Sequence, residues 1–331
     1  MKLGAAVIGL GVGEAHARAY AALPGCEVRW VADLDADRAT RLAAELKCQS
    51  ASSLAPLLAD PDVHVVSIAS FDDAHAEQVE ASLAHGKHVF VEKPIARTLA
   101  ELARIKGAWR RSDRHLSSNL ILRAAPLYRQ LRDMIGNGDL GEIYAIDGDY
   151  LYGRLEKITD GWRSSVEEYS VIEGGGIHLV DLMLWLTGQK PDRVSAAGNR
   201  IASRDTAFKY RDFMAATYTF PSGLIGRITA NFGCVHRHHH VLRVFGTKAT
   251  FLYDDRGARL HATREPASEP ASFTAAPLAP TKGELIPAFV AGIREGRGDD
   301  VATQMHFDVL SACAAADRAA DAGAFVEIEY V

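Results

Sequence analysis

The sequence predicts an α/β protein: an N-terminal domain with a doubly wound parallel sheet, then a C-terminal α+β domain with a large, mostly antiparallel sheet. Three observations carry this. Short apolar runs alternate with helical patterns through residues 3–118, which is the rhythm of βαβ units. A glycine cluster, Gly9-Leu10-Gly11-Val12-Gly13, follows the first apolar run directly. After about residue 120 the rhythm changes, and from 193 to 261 strand-like segments succeed one another across short turns, as in an antiparallel sheet.

The apolar runs of the first part cover residues 5–8, 28–32, 63–69 and 88–91, and the helical patterns cover 15–23, 36–46, 74–85 and 98–111. The run from Val63 to Ala69 suits a strand buried on both faces. Gly25, Pro61 and Gly86 punctuate the connections. Further on, a helix is expected over 125–135, ending in the Gly136-Asn137-Gly138 turn, and a strand over 142–152. An irregular polar stretch runs to Gly176, followed by a helix over 178–186 that Gly188 stops. Pro221-Ser222-Gly223 and Gly246-Thr247-Lys248 mark turns between the later strands. Residues 264–282, rich in Ala, Pro, Ser and Glu, read as a surface loop. Helices over 283–294 and 302–322 and a strand over 324–329 close the chain. The expected division is a dinucleotide-binding domain over 1–120 and a substrate-binding and oligomerisation domain over 121–331.

A chain of 331 residues can build two sizeable cores. The net charge of −5 gives no electrostatic case for nucleic acid or an anionic membrane. No apolar run is long enough to span a bilayer, and the opening strand over 3–8 lacks the features of a secretory leader. Cys26, Cys48, Cys234 and Cys313 are far apart and show no metal spacing, so reduced thiols in a cytoplasmic protein are expected.

The Gly9–Gly13 cluster stands between a strand and a helix, the context a dinucleotide fingerprint requires. Glycines there let the backbone approach a pyrophosphate whose charge faces a helix N-terminus. Gly9, Gly11, Val12 and Gly13 are therefore expected at a cofactor. The third small residue comes one position early, at Gly13 rather than at Glu14, so either the loop is shorter or the helix starts differently. The second strand ends in Asp33, placed to accept hydrogen bonds from the adenosine ribose and to repel a 2′-phosphate, which favours NAD(H) over NADP(H). Arg38 is the residue placed to offset this by turning toward a phosphate. An N-cap role for Asp33 is the alternative, although Asp35 is the better cap candidate.

Val91-Glu92-Lys93-Pro94 closes the fourth run. It puts a carboxylate, an ammonium and a rigid turn at a strand exit, where ligands bind in an open α/β sheet. Taken alone, the same residues would serve as a solvated turn.

At this point the chain resembles the glucose-fructose oxidoreductase, inositol dehydrogenase and rhizopine-catabolism (Gfo/Idh/MocA) family over nearly its whole length. The resemblance is carried by the glycine loop with His16, by Asp33, by Ser70-Phe71 with His75, and by Gly86-Lys87-His88-Val89 leading into Glu92-Lys93-Pro94. Gly138-Asp139-Leu140-Gly141-Glu142, Trp162-Arg163 and His178 with Asp181 extend it. It implies a Rossmann domain. It also implies that Glu92 holds the nicotinamide ribose and that Lys93 sits between nicotinamide and substrate. Ser70, Phe71 and His75 would line the cofactor groove, Arg163 would approach the nicotinamide end, and His178 would be the acid/base residue. Imidazole suits that task because its ordinary pKa lies near working pH. The plainer alternatives are a helix-terminal role for His178 and packing or capping roles for His75 and His16.

The family's usual aspartate, four residues before the histidine, falls on Gly174 in an ungapped match and is deleted in a gapped one. Glu173 and Tyr169 are the nearby candidates to compensate. Arg123, Tyr150, Tyr152, Tyr169 and Asp181 are candidate substrate contacts. In Val235-His236-Arg237-His238-His239-His240, a strand would put His236, His238 and His240 on one face. No acidic or cysteine partner is adjacent, so a hairpin or a phosphate contact is expected rather than a metal. The leading expectation is an NAD(H)-dependent oxidoreductase of a sugar, with nucleotide-linked sugars included. Lys93 and His178 would be catalytic, no metal would take part, and the protein would be a homodimer or homotetramer. Two further expectations remain open: a sugar hydrolase or lyase that uses NAD without net redox, and an NAD-sensing protein that has lost catalysis.

Overall fold

The computed structural model describes residues 2–296 and 300–331. The chain opens with β1 (Leu3–Ile8), α1 (Gly13–Ala22), β2 (Cys26–Ala32), α2 (Ala36–Leu46), β3 (Gln49–Ala51), α3 (Ala55–Ala59), β4 (Val63–Ile68), α4 (His75–Ala84), β5 (His88–Val91), α5 (Leu99–Ser112) and β6 (Leu116–Ser118). Then come α6 (Pro126–Gly136), β7 (Ile143–Leu151), α7 (Glu156–Thr159), α8 (Ile177–Thr187), β8 (Arg193–Asn199), β9 (Phe213–Thr219), β10 (Ile225–Asn231), β11 (His239–Gly246), β12 (Thr250–Asp254), β13 (Gly257–His261) and β14 (Ala271–Ser272). The last elements are α9 (Ile286–Glu295), α10 (Asp300–Ala322) and β15 (Val326–Glu327).

The chain forms two compact units. One takes the residues up to 124 together with 279–307 and 331, and the other takes 125–278 and 308–330. The first unit thus regains a segment that the linear division at 120/121 leaves in the second domain. The reason is packing: Ile286 and Val290 of α9 are buried in one core with Ala17 and Tyr20 of α1 and Phe90 of β5.

The first unit carries a six-stranded sheet in the order β3-β2-β1-β4-β5-β6, and every pairing in it is parallel. Every residue of β1 is buried, as a central strand covered on both faces requires. Helix boundaries follow side-chain chemistry. Asp35 caps α2 by accepting from the Arg38 backbone N–H at 3.0 Å. Thr98 and Glu101 form a capping box at the start of α5. The strand order reverses between β1 and β4, which opens a crevice at their carboxyl ends.

The second unit carries a nine-stranded sheet, β14-β13-β12-β11-β7-β10-β9-β8-β15. Its pairings are antiparallel except β7 with β10. α8 is apolar on all sides, and every residue from Ile177 to Leu186 is buried. It packs on β7, where a Cβ on Gly148 would lie 3.2 Å from Leu179 Cβ. The stretch expected to be irregular up to Gly176 instead contains α7, a short 3-10 turn at Trp162–Ser164 and a π-helical turn at Ile172–Gly176. The final strand is shorter than expected, only Val326 and Glu327.

Candidate active site

In the first unit the expected cofactor residues gather at the carboxyl ends of β1, β2, β4 and β5. The three loop glycines differ in what requires them. Gly9 has φ +80°, and a Cβ on it would overlap the Ala69 carbonyl. A Cβ on Gly13 would come within 3.0 Å of Val7 Cγ1 and 3.2 Å of Ala69 Cβ. A Cβ on Gly11 would meet nothing within 4 Å. The fold itself therefore needs Gly9 and Gly13, whereas Gly11 leaves open space above exposed backbone. That space, beside the N-terminus of α1, fits the pyrophosphate of a dinucleotide. α1 begins at Gly13 itself, so the early glycine reflects an early helix start.

Asp33 ends β2 with its side chain 11% exposed. One carboxylate oxygen accepts the Leu10 backbone N–H at 2.5 Å, and the other accepts the Asp35 N–H at 2.8 Å. Arg38 Nη1 lies 3.6 Å from Asp33 and Nη2 lies 3.6 Å from Asp35. The capping task thus falls to Asp35, and the Asp33 carboxylate stays at the crevice.

Ser70 donates its hydroxyl to Gln78 Oε1 at 2.7 Å, and Phe71 is 48% exposed. His75 is fully buried, with Nδ1 2.7 Å from the Pro94 carbonyl and Nε2 3.2 Å from the Ser70 carbonyl. It ties the loop after β4 to the loop after β5 and presents no surface, so it stands behind the loop and cannot itself line a groove as expected. The Lys93–Pro94 peptide is cis.

Glu92 is held from several sides. Asn119 Nδ2 donates to its Oε1 at 2.6 Å, and His16 Nε2 lies 3.3 Å from the same oxygen. Burial pushes the Glu92 carboxyl up, but the His16 hydrogen bond and charge, Lys93 and Asn119 outweigh it and hold it below the usual carboxylate range. From the sequence, packing or capping is expected of His16 ahead of ligand contact, and Asn119 has no expected part in holding Glu92. Both are positioning residues for Glu92, and Ser67 Oγ fixes His16 Nδ1 at 3.0 Å. The only available signal was a histidine one turn into α1. Arg123 sits in the 3-10 turn Ile121–Ala124, where it adds to the burial that keeps the His306 pKa well down.

In the second unit Tyr150, Tyr169, Arg163 and His178 come together. A Cβ on Gly174 would overlap the Tyr169 hydroxyl, and one on Gly175 would overlap the Tyr150 ring. A Cβ on Gly176 would lie 3.2 Å from Ile172 Cδ1 and 3.3 Å from Ala230 Cβ. The triple glycine thus forms the π-helical turn that leads into α8 and gives two tyrosines room beside it. π-helical turns recur at functional sites. The Tyr150 ring lies 6.3 Å from that of His178, and the Arg163 guanidinium lies 5.9 Å from the Tyr169 ring. His178 is 8% exposed. Asp181, expected near a substrate, has no exposed surface, because α8 is enclosed all round. With Glu173 and Asp317 it adds to the burial that pushes the Cys313 thiol well up.

The histidine string departs from expectation. β11 starts only at His239, so His236 lies before the strand and pairs with Asp255 at 2.9 Å. His238 and His240 share a face beside Tyr150, while the His239 ring turns to Tyr253 at 4.9 Å. Among the described residues, no group of three or more His, Cys, Asp or Glu could hold a metal ion. Among the same residues, no helix is long and apolar enough to cross a membrane.

The strand order, the glycine loop and the acid at the end of β2 define an NAD-binding Rossmann domain. Residues 3–120 match the model of an oxidoreductase family with an NAD-binding Rossmann fold, and residues 128–252 match the Gfo/Idh/MocA C-terminal domain. The chain belongs to the Gfo/Idh/MocA family of oxidoreductases. It is 27% identical to an uncharacterized oxidoreductase of Rhizobium meliloti over 68% of its own length and 65% of that protein. It is 26% identical to the myo-inositol 2-dehydrogenase of Thermotoga maritima over 77% of its own length and 75% of the relative. Among solved structures, levoglucosan dehydrogenase in complex with NADH and levoglucosan superposes with a TM-score of 0.86 at 22% identity, covering 99% of this chain and 100% of that one. The myo-inositol 2-dehydrogenase of Lactobacillus plantarum gives 0.85 at 21% identity, covering 99% and 100%. At these identities the structural likeness shows the fold.

Proposed function

We propose that this protein is an NAD(H)-dependent dehydrogenase of a sugar or cyclic polyol, transferring a hydride between nicotinamide and a secondary alcohol or ketone carbon. The observation that carries the reading is the Asp33 carboxylate, fixed by the Leu10 N–H beside a glycine that the fold does not need. The carboxylate supports a preference for NAD(H), since it binds ribose hydroxyls and repels a 2′-phosphate. The names of relatives that act on inositol and levoglucosan support the substrate class.

The bound nicotinamide supplies the hydride acceptor or donor. In this reading Gly9, Gly11, Val12 and Gly13 bind the pyrophosphate, and Ser70 and Phe71 line the groove with His75 behind them. Glu92, oriented by Asn119 and His16, accepts from the nicotinamide ribose, and Arg163 approaches the nicotinamide end. The Lys93 ammonium stabilises developing alkoxide charge, and an imidazole nitrogen of His178 takes or returns the hydroxyl proton. Arg123, Tyr150 and Tyr169 contact the substrate, whereas enclosed Asp181 acts through the packing of α8. We further infer a cytoplasmic homodimer or homotetramer paired through the face of the nine-stranded sheet that carries Asp147, Thr217 and Arg227, the face opposite α8.

Fluorescence titration with NADH and NADPH, followed by turnover assays with NAD⁺ and myo-inositol, levoglucosan or a nucleotide-linked sugar, tests the reading. Saturable NADH binding and NADH formation with a member of this panel are expected. Failure to bind NADH, or binding without turnover of any member, counts against it.

A further inference from the structure

The histidine string before and within β11 has no task in the reaction above. Its members divide. His236 and His239 turn toward Asp255 and Tyr253. His238 and His240 turn the other way and stand in line with His178. The His178 and His240 ring centroids are 5.9 Å apart at 85°, and those of His240 and His238 are 4.8 Å apart at 61°. Rings at these separations are immediate neighbours, and a single water can bridge polar groups of such neighbours.

Burial gives the row a direction. His178 and His240 are 8% and 6% exposed, whereas His238 is half-buried just before the strand begins. Tyr150 braces the row, 5.3 Å from both His238 and His240. The other groups around it are Tyr152, 5.5 Å from His238, Arg154 over the Tyr152 ring, Phe232 against both tyrosines, and Tyr169 with Arg163 beyond. Burial pushes the Tyr150 phenol well up, so it stays a neutral hydroxyl, and the imidazoles are the groups here suited to carry a proton.

We propose that His240 and His238 form a proton path between His178 and solvent. This rests on the dehydrogenase reading above. In the oxidation direction the carbinol C–H leaves as a hydride to the nicotinamide, the O–H electron pair closes the C=O bond, and the hydroxyl proton goes to His178. His178 passes a proton to His240, His240 to His238, and His238 to a buffer base. Each ring accepts at one nitrogen and releases from the other, so one proton leaves per turnover and the rings end neutral. In reduction the path runs inward. His238 and His240 act through His178 and need not touch the substrate.

The test is a single turnover in weak buffer, with NADH formation and proton release followed together using a pH indicator and a substrate found in the panel above. In the wild type the two traces should coincide. In His238→Gln, proton release should lag NADH formation by about tenfold or more, and added imidazole should close the lag. His240→Gln should give the same lag and the same rescue, which covers the case of one variant folding poorly. Coincident traces in both variants overturn the path, and so does a lag that imidazole leaves unchanged, because a merely structural defect has no reason to answer to a small base. A wild type that forms no NADH overturns the dehydrogenase reading and the path with it, whereas NADH formation without a lag in the variants overturns the path alone.

Discussion

The Leu10 backbone N–H donates to the Asp33 carboxylate across 2.5 Å, joining the glycine loop to the end of β2. One side chain thus shapes the glycine loop and, in the proposed reading, supplies the ribose acceptor. Asp33→Ala removes a hydrogen bond to a charged group, worth about 1.5–3 kcal/mol. NADH binding should weaken by roughly tenfold or more, and discrimination against NADPH should shrink. Parallel titrations of both cofactors check this, and an unchanged NADH/NADPH ratio would count against Asp33 as the selector.

Gly9 and Gly11 should separate under alanine substitution. Gly9→Ala puts a Cβ into the Ala69 carbonyl at a φ of +80° and should lower stability by about 1–3 kcal/mol. Gly11→Ala meets nothing in the protein and should leave the melting temperature nearly unchanged while weakening NADH binding severalfold. Thermal melts with and without NADH distinguish the two. Full NADH affinity in Gly11→Ala would move the pyrophosphate elsewhere.

Lys93→Ala should abolish turnover and leave NADH binding largely intact. Loss of a group that stabilises alkoxide charge removes roughly 3 kcal/mol or more of transition-state stabilisation. The comparison is kcat against the NADH dissociation constant. Wild-type kcat in the variant would remove Lys93 from the mechanism.

His88 makes stability depend on acid. Burial, then His115, Arg114 and His64, lowers its pKa from 6.5 to about 4, and its Nδ1 accepts the His115 backbone N–H at 3.0 Å. The unfolded chain therefore binds the proton more readily than the folded one. The contribution is fully present above the unfolded value of 6.5 and is lost progressively as pH falls toward about 4. His88→Asn keeps an acceptor and does not titrate. Urea unfolding at neutral pH and at about pH 5 should show the wild type losing more stability than the variant. Equal losses would place the acid sensitivity elsewhere.

Much of the first unit was legible because its signals are local. β1 reads as an unbroken apolar run and β4 as a largely apolar one because central parallel strands are covered on both sides, and the glycine loop sits where strand meets helix. Glu92 and Lys93 followed from the strand exit. Its supports did not: His16 and Asn119 reach Glu92 from α1 and from beyond β6, and no periodicity records such a contact. α9 was assigned by its place in the chain, yet Ile286 and Val290 belong to the core around β1. His236 was grouped with His238 and His240 by alternation, which fails because β11 begins three residues later. Gly174 read as a missing residue, and only the packed structure shows the Tyr169 hydroxyl lodged against it.

That last contact has a counterpart at the next glycine, and together they tie the glycine run to two tyrosines. With Tyr169 seated on Gly174 and Tyr150 on Gly175, neither glycine can acquire a side chain while its tyrosine stays in place. Sequence drift or redesign must therefore change each pair together, and a relative with a larger residue at either glycine is expected to have moved or lost the matching phenol. The glycine run is a record of which aromatic rings this protein keeps.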